Sequence, residues 1–318
     1  MKKKIITAAV AAMITLTTGV VMANPVEIDG SASFRYRADT DSGKADSNNN
    51  ITKIILNANT EIDPNFSVYA RLGVLGLANS AGPNAIGTDT NETGDFVGGI
   101  DQFGVNYKNA GFTYKIGRQS ATIGATALLY NNNFKIGKHA FVDGISAKGV
   151  SGVTTLDIIA AQEDSVDSND SKLYAVHASY VPAENWVVGA TLGKYDDATD
   201  VRTTTNYAID AAYTMGKATV FGEFAKSNYD NKNKSYDLGV SYKFDSKNSV
   251  YIINYDNEQF ADMGGKTDFE NGYKGFYYGY DHKFTDTTSV ALYYRDMEAL
   301  ADSSEKNTSF RATVNYTF

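Results

Sequence analysis

The chain alternates. From Tyr236 to Phe244, the residues Tyr236, Leu238, Val240, Tyr242 and Phe244 take one parity, and Asp237, Gly239, Ser241 and Lys243 take the other. Residues 308–318 repeat the pattern, with Phe310, Ala312, Val314, Tyr316 and Phe318 set against Arg311, Thr313, Asn315 and Thr317. A period of two sends successive side chains to opposite faces of a strand, so each segment predicts one apolar and one polar face. The same reading places strands at residues 27–39, 52–62, 66–77, 101–107, 112–118, 143–149, 153–163, 172–181, 186–195, 206–214, 217–228, 234–244, 249–257, 273–284, 288–297 and 308–318, sixteen in all. Past residue 23 no apolar run approaches the length of a membrane-spanning helix, about 20 residues.

The connections sort into two kinds. Residues 63–65 (DPN), 108–111 (KNAG), 150–152 (VSG), 182–185 (PAEN), the turn around Gly216, 245–248 (DSKN) and 285–287 (TDT) are short, and each is followed by a longer polar link. A soluble sandwich has no reason to segregate its loops in this way, whereas a transmembrane barrel has short periplasmic turns and longer external loops. Residues 63–65, 182–185 and 245–248 are therefore expected on the periplasmic side, and 79–94 and 258–272 outside. Beside the short turns stand Phe66, Tyr107, Phe112, Tyr180, Trp186, Tyr213, Phe244, Phe284 and Phe318, the girdle expected where a barrel meets the lipid interface. The expected fold is all-β: a transmembrane antiparallel barrel of 16 strands, with Phe318 closing it against the first strand.

The ends and the charge refine this picture. MKKKIITAAVAAMITLTTGVVMA has a three-lysine start, an apolar stretch and small or aliphatic residues at Val21 and Ala23, so residues 1–23 are expected to be a signal peptide and 24–318 the barrel. Its removal takes three lysines and no acid, moving the formal net charge from −8 to −11. An exported chain this acidic is a poor nucleic-acid binder. With no cysteine, and only His139, His177 and His282 as soft ligands, neither metal chemistry nor another cofactor is expected.

The signal peptide, the sixteen alternating segments and the terminal FRATVNYTF together resemble the Gram-negative general porins along the whole mature chain. The resemblance implies a homotrimer in the cell outer membrane and an inward-folded third loop. It implies a water-filled channel for passive diffusion of ions and small hydrophilic solutes, without enzymatic activity. It also makes the last strand, with Tyr316 and Phe318, the insertion signal read by the barrel-assembly machinery, and outer-membrane lipid the surrounding partner. A substrate-selective channel, a surface lipase and a non-conducting structural or adhesive barrel are the other classes.

The third long connection, residues 119–142, has apolar residues between Ala121 and Tyr130 that fit an inward-folded constriction loop. It lacks the PEFGGD motif found in many enterobacterial relatives, and its candidate constriction residues are Tyr130, Lys135, Lys138 and His139. Strand parity sends Arg35, Arg37, Lys53, Arg71, Lys115, Arg295 and Arg311 to the lumen as a basic wall, and Asp157, Glu163, Asp210, Glu223, Asp237 and Asp281 as acids on other strands. Arginine on the lipid face would cost about 2–4 kcal/mol at mid-membrane. The expectation is a transverse field across the pore. His177 has inward parity with no nucleophile to pair with, His282 has outward parity, and DTDSGKAD at 39–46 has Gly43 where a calcium loop needs a ligand.

Overall fold

A computed structural model describes residues 24–42, 46–79, 97–165, 169–200 and 202–318. The expected leader, 1–23, residues 43–45 of the DTDSGKAD segment and residues 80–94 of the second long connection lie outside the described residues. The first strands are β1 (Glu27–Asp41), β2 (Ser47–Asp63), β3 (Phe66–Asn79), β4 (Val97–Asn109) and β5 (Phe112–Gln119). Two short strands follow, β6 (Thr122–Ile123) and β7 (Tyr130–Asn131), paired only with each other, and a 3-10 turn at Lys138–Ala140. The wall resumes with β8 (Val142–Ser151), β9 (Thr154–Glu163), β10 (Lys172–Tyr180), β11 (Trp186–Asp197), β12 (Arg202–Met215) and β13 (Ala218–Ser227). It ends with β14 (Lys234–Lys243), β15 (Asn248–Asn257), β16 (Tyr273–Lys283), β17 (Thr288–Ala299) and β18 (Lys306–Thr317). Apart from β6 and β7, all of them pair antiparallel with their neighbours in chain order, and β18 returns to β1 to close a sixteen-stranded barrel.

All sixteen expected strands are present, and several run further at the long-connection end. The β1 strand reaches Asp41, β2 starts at Ser47, β4 at Val97, β12 at Arg202, and β17 reaches Ala299. There the positions on the outer parity are Asn48, Asn50, Thr203, Thr205, Asp296 and Glu298, so apolar alternation stops while backbone pairing continues. Hydrophobic period marks the apolar belt; hydrogen bonding sets strand length.

The short turns are closed by side chains. Asp63 Oδ1 accepts the amides of Asn65 (2.7 Å) and Phe66 (3.0 Å), and Asp245 Oδ1 those of Lys247 and Asn248 (2.7 Å each). Thr285 Oγ1 accepts the amide of Thr288 at 3.0 Å. Gly216, between β12 and β13, sits at φ 60°, a left-handed conformation that glycine adopts without a Cβ penalty. Turn-edge aromatics meet across the strands, Phe66 stacking on Tyr107 with centroids 4.6 Å apart and Trp186 lying 4.7 Å from Tyr213, and along one segment His282 packs edge-on against Phe284 at 4.7 Å.

At one end, the seam is made by Gly30 and Phe318. The amide of Gly30 donates to the Phe318 carbonyl (3.0 Å) and the Phe318 amide to the Gly30 carbonyl (3.1 Å), so the last residue completes the ladder. The Phe318 ring lies over Gly30, where an added Cβ would meet the ring at 2.7 Å. Phe318 remains 53% exposed, so truncating it to alanine removes about half of a phenylalanine's burial, about 1 kcal/mol. Both Phe318→Ala and Gly30→Ala are expected to raise the unfolded fraction in unboiled, heat-modifiability gels. Wild-type band ratios in both would remove the seam contact as a determinant of closure.

Candidate channel lining

The register gathers the expected basic residues on one arc of the polar face. Arg37 lies opposite Arg311, Arg35 opposite Thr313, and Lys53 opposite Ser33, while Arg311 and Arg295 are opposite Tyr293 and Tyr277. Arg35 Nε donates to Thr313 Oγ1 (3.0 Å), Lys53 Nζ to the Phe134 carbonyl (3.2 Å), and Arg311 Nε to Ser309 Oγ (3.3 Å). The Arg311 guanidinium also lies 4.9 Å from the Tyr293 ring centroid. These three bond to neutral groups and keep their charge uncompensated by those contacts. Arg37 pairs with Asp39 at 2.6 Å, and Arg295 with Glu270 at 3.1 Å. Like charges about 4 Å apart repel by about 1 kcal/mol in water and by several times more at low dielectric, so such a cluster requires solvent or anions around it.

Arg71 has a different role. A bulge in the β3–β4 pairing leaves Asp101 and Gln102 both buried beside it, and the guanidinium grips Asp101 with two bonds of 2.8 Å. Its Nη2 also donates to the Lys135 carbonyl at 3.0 Å, and its face covers the Phe141 ring at 4.5 Å. Arg71 thus anchors the third connection. Lys115 lies 4.2 Å over the Tyr69 ring.

The acids differ from the expected open wall. Asp210, Glu223 and Asp237 are in register on β12, β13 and β14, but Glu223 and Asp237 are only 2% and 3% exposed. Thr126 covers them: its amide and hydroxyl reach Glu223 Oε2 at 2.9 and 2.8 Å, and the same hydroxyl contacts Asp237 Oδ2. Glu163 is buried among the Tyr130 hydroxyl (2.9 Å), the Tyr195 hydroxyl (3.1 Å) and Lys266 Nζ (2.5 Å). Asp210 lies 3.7 Å from His177, whose Nδ1 is 2.9 Å from Thr191 Oγ1. Asp157 meets Lys148 at 3.3 Å, and Asp281 is exposed opposite Ser249. A field across open water therefore has fewer acidic sources than strand parity alone implies, because a chain segment sits on them.

Two connections provide that cover. Ala121, Ile123, Leu128, Leu129 and Tyr130 are buried in one apolar cluster with Ile159, Leu173, Tyr195, Tyr255, Tyr277 and Met297 of the wall, and with Met263 and Phe269 of the 258–272 connection. Backbone bonds join the two segments, from Asn131 N to the Lys266 carbonyl (2.6 Å) and from Met263 N to the Leu129 carbonyl (2.9 Å). Thr267 Oγ1 donates to the Ala127 carbonyl (2.8 Å), and Asn131 Nδ2 to Asp268 Oδ2 (2.9 Å). Burial pushes the Tyr130 hydroxyl well above the usual tyrosine range, with the Glu163 charge adding to it, so Tyr130 stays a neutral donor.

Lys138 and His139 fall at the root of the third connection rather than with the arginines. The Lys138 carbonyl accepts from Arg118 (3.0 Å), and Arg118 pairs with Asp143 (2.6 Å) and Asp164 (2.5 Å), with His139 Nδ1 3.3 Å from Asp164. Sequence parity overlooked Arg118, Thr126, Asn131, Lys266 and Asp268. For the last two a signal existed: Phe260, Ala261, Met263 and Phe269 are apolar residues in an otherwise polar connection, the same pattern that marked residues 121–130.

No protein-family model matches the chain, and no curated protein matches its sequence. Solved structures match it over more than nine-tenths of its length. A loop-deletion form of OmpT, an outer membrane protein of Vibrio cholerae, is 13% identical over 92% of this chain and 99% of that one, with a TM-score of 0.61. A substituted form of the Rh. blastica porin is 14% identical over 92% of this chain and 100% of that one, at 0.61. OmpF of Salmonella typhi, solved with daunomycin, is 14% identical over 93% and 98%, also at 0.61. Likeness at these identities is likeness of fold: the chain has the closed sixteen-stranded barrel of the outer-membrane porins.

Proposed function

We propose that this chain is an outer-membrane channel for passive diffusion of ions and small hydrophilic solutes, exported by a leader cleaved after Ala23. Barrels of this strand number are wide enough to leave an aqueous channel. The carrying observation is the arc of Arg35, Lys53 and Arg311, charges that bond to neutral groups on the polar face of a closed barrel and need water beside them. Residues 120–141 are the constriction in this reading. In its support, the segment touches β2 through Phe134 and β13 through Thr126, strands seven apart by the shorter way round the ring. A single short segment reaches both by crossing the lumen. The homotrimer belongs to the same reading: the matched fold includes a form of Vibrio cholerae OmpT described as a trimer. Catalysis has no part in it.

Purified protein in planar bilayers is expected to give stepwise single-channel conductance and, in a KCl gradient, a weak preference for anions. Replacing Arg35 and Arg37 with glutamine is expected to shift the reversal potential toward cations. A protein that never conducts would overturn the channel reading; an unmoved reversal potential in the double variant would remove these arginines from selectivity.

Orientation has its own test. Single cysteines at Lys247, in a short turn, and at Asn84, outside the described residues, are expected to differ in intact cells, with only the second labelled by a membrane-impermeant maleimide. Labelling at Lys247 alone would invert the topology.

A further inference from the structure

Most of the acids on strands near the arginines are already engaged, Asp281 being the exposed exception. Asp101 is held by Arg71, Asp39 by Arg37, and Glu163, Glu223 and Asp237 are buried under the two connections. The third connection carries no carboxylate of its own between Gln119 and Val142. Asp268 stands apart. Its neighbour Phe269 is buried at 4% exposure and pins the backbone, while Asp268 as a residue is exposed. Its carbonyl accepts from the Tyr277 hydroxyl at 2.9 Å; the Tyr277 ring packs edge-on against Tyr293 with centroids 5.3 Å apart, and Tyr293 carries the Arg311 guanidinium. Asn131 Nδ2 then fixes the carboxylate at 2.9 Å.

From this placement we propose that Asp268, in the seventh long connection, sets the charge selectivity of the pore by opposing Arg35 and Arg311, with Asn131 of the third connection positioning it. The inference rests on the channel reading and assigns the acidic side of the constriction to a second loop. Partial desolvation raises the Asp268 carboxyl above the ordinary carboxylate range, and the Asn131 amide and the charges of Arg311 and Arg35 pull it back. The apolar cluster explains why the arrangement is stable: Met263 and Phe269 lock residues 258–272 onto residues 121–130, and the Tyr277 and Tyr293 rings connect that joint to Arg311. Asp268 is thus the specificity-determining counterpart of the basic arc.

Reversal potentials in a KCl gradient test this directly. Asp268→Asn is expected to raise the chloride-to-potassium permeability ratio about twofold to fourfold, the effect of one unit charge on passing ions at about a Debye length. Asp268→Glu should hold the wild-type ratio, as should Asp302→Asn, which removes an acid from a different external turn. Because the chain has no cysteine, Asp268→Cys offers a second arm independent of folding yield. A cationic methanethiosulfonate added to open, conducting Asp268→Cys channels should shift the ratio further toward anions, and an anionic one should restore it. An unchanged ratio in conducting Asp268→Asn channels, or an equal shift from Asp302→Asn, would overturn the proposal. A wild-type protein that forms no channel would instead overturn the reading on which it rests.

Discussion

The ring closure is the constraint on which everything else depends. A strand exposed to hydrocarbon has no water for its amides and carbonyls, so each must bond to a neighbouring strand, and an open edge is not tolerated. Here the closure is made by β1 and β18, whose pairing runs from Ser31 opposite Thr317 to Asp41 opposite Asn307, with the Gly30–Phe318 pair at its end. Once the ring is closed the two faces are unlike: one carries Phe34, Leu238, Ile252 and Val314 exposed, and the other carries Arg35, Arg311, Asp210, Glu223 and Asp237. The period-two pattern is the chemical record of that division.

Closure alone would leave a wide lumen, and what fills part of it is apolar. Leu128, Leu129, Met263, Leu173 and Tyr255 are all fully buried, in a cluster that joins two connections to the wall from β9 to β17. Each connection by itself would expose aliphatic surface to water; together they cover one another. Their polar atoms then emerge in fixed places. Thr126 lands on Glu223 and Asp237, Lys266 on Glu163, and Asn131 on Asp268. A hydroxyl has one hydrogen, so Thr126 cannot donate to both of its carboxyl neighbours at once, and a proton or solvent has to complete that cluster. Packing inside the barrel thus decides which charges still face water.

The barrel was legible in the sequence because its signal is repeated sixteen times and checked by an independent feature, the alternation of short and long connections. The strand faces were legible too, since parity alone places Arg35 and Arg311 on the polar side. What parity cannot convey is height along the strand or what a loop covers. Glu223 and Asp237 have the right parity yet lie under Thr126, and Lys138 and His139 belong to the expected loop yet sit at its root beside Arg118 and Asp164. The 258–272 connection shows the same limit from the other side. Its apolar residues were visible, but part of their cover comes from residues 121–130, more than 130 positions away, and no local period encodes a contact of that range.

The electrostatic outcome follows from burial rather than from net charge. A formal −8 for the whole chain would favour cations if every charge acted equally on a passing ion. Screening confines each exposed charge to about 8 Å at physiological salt, so only groups lining the narrow region count strongly. Of the strand acids, Glu223 and Asp237 are covered by Thr126, Glu163 is bonded to Lys266, and Asp101 and Asp39 are gripped by Arg71 and Arg37, whereas Arg35, Lys53 and Arg311 meet only neutral partners in their hydrogen bonds. In the proposed channel reading, an acidic protein would in this way present a passage with a basic arc. On that reading, the loops that hide the acids are the same ones that narrow the path, so size exclusion and charge preference would come from a single packing arrangement.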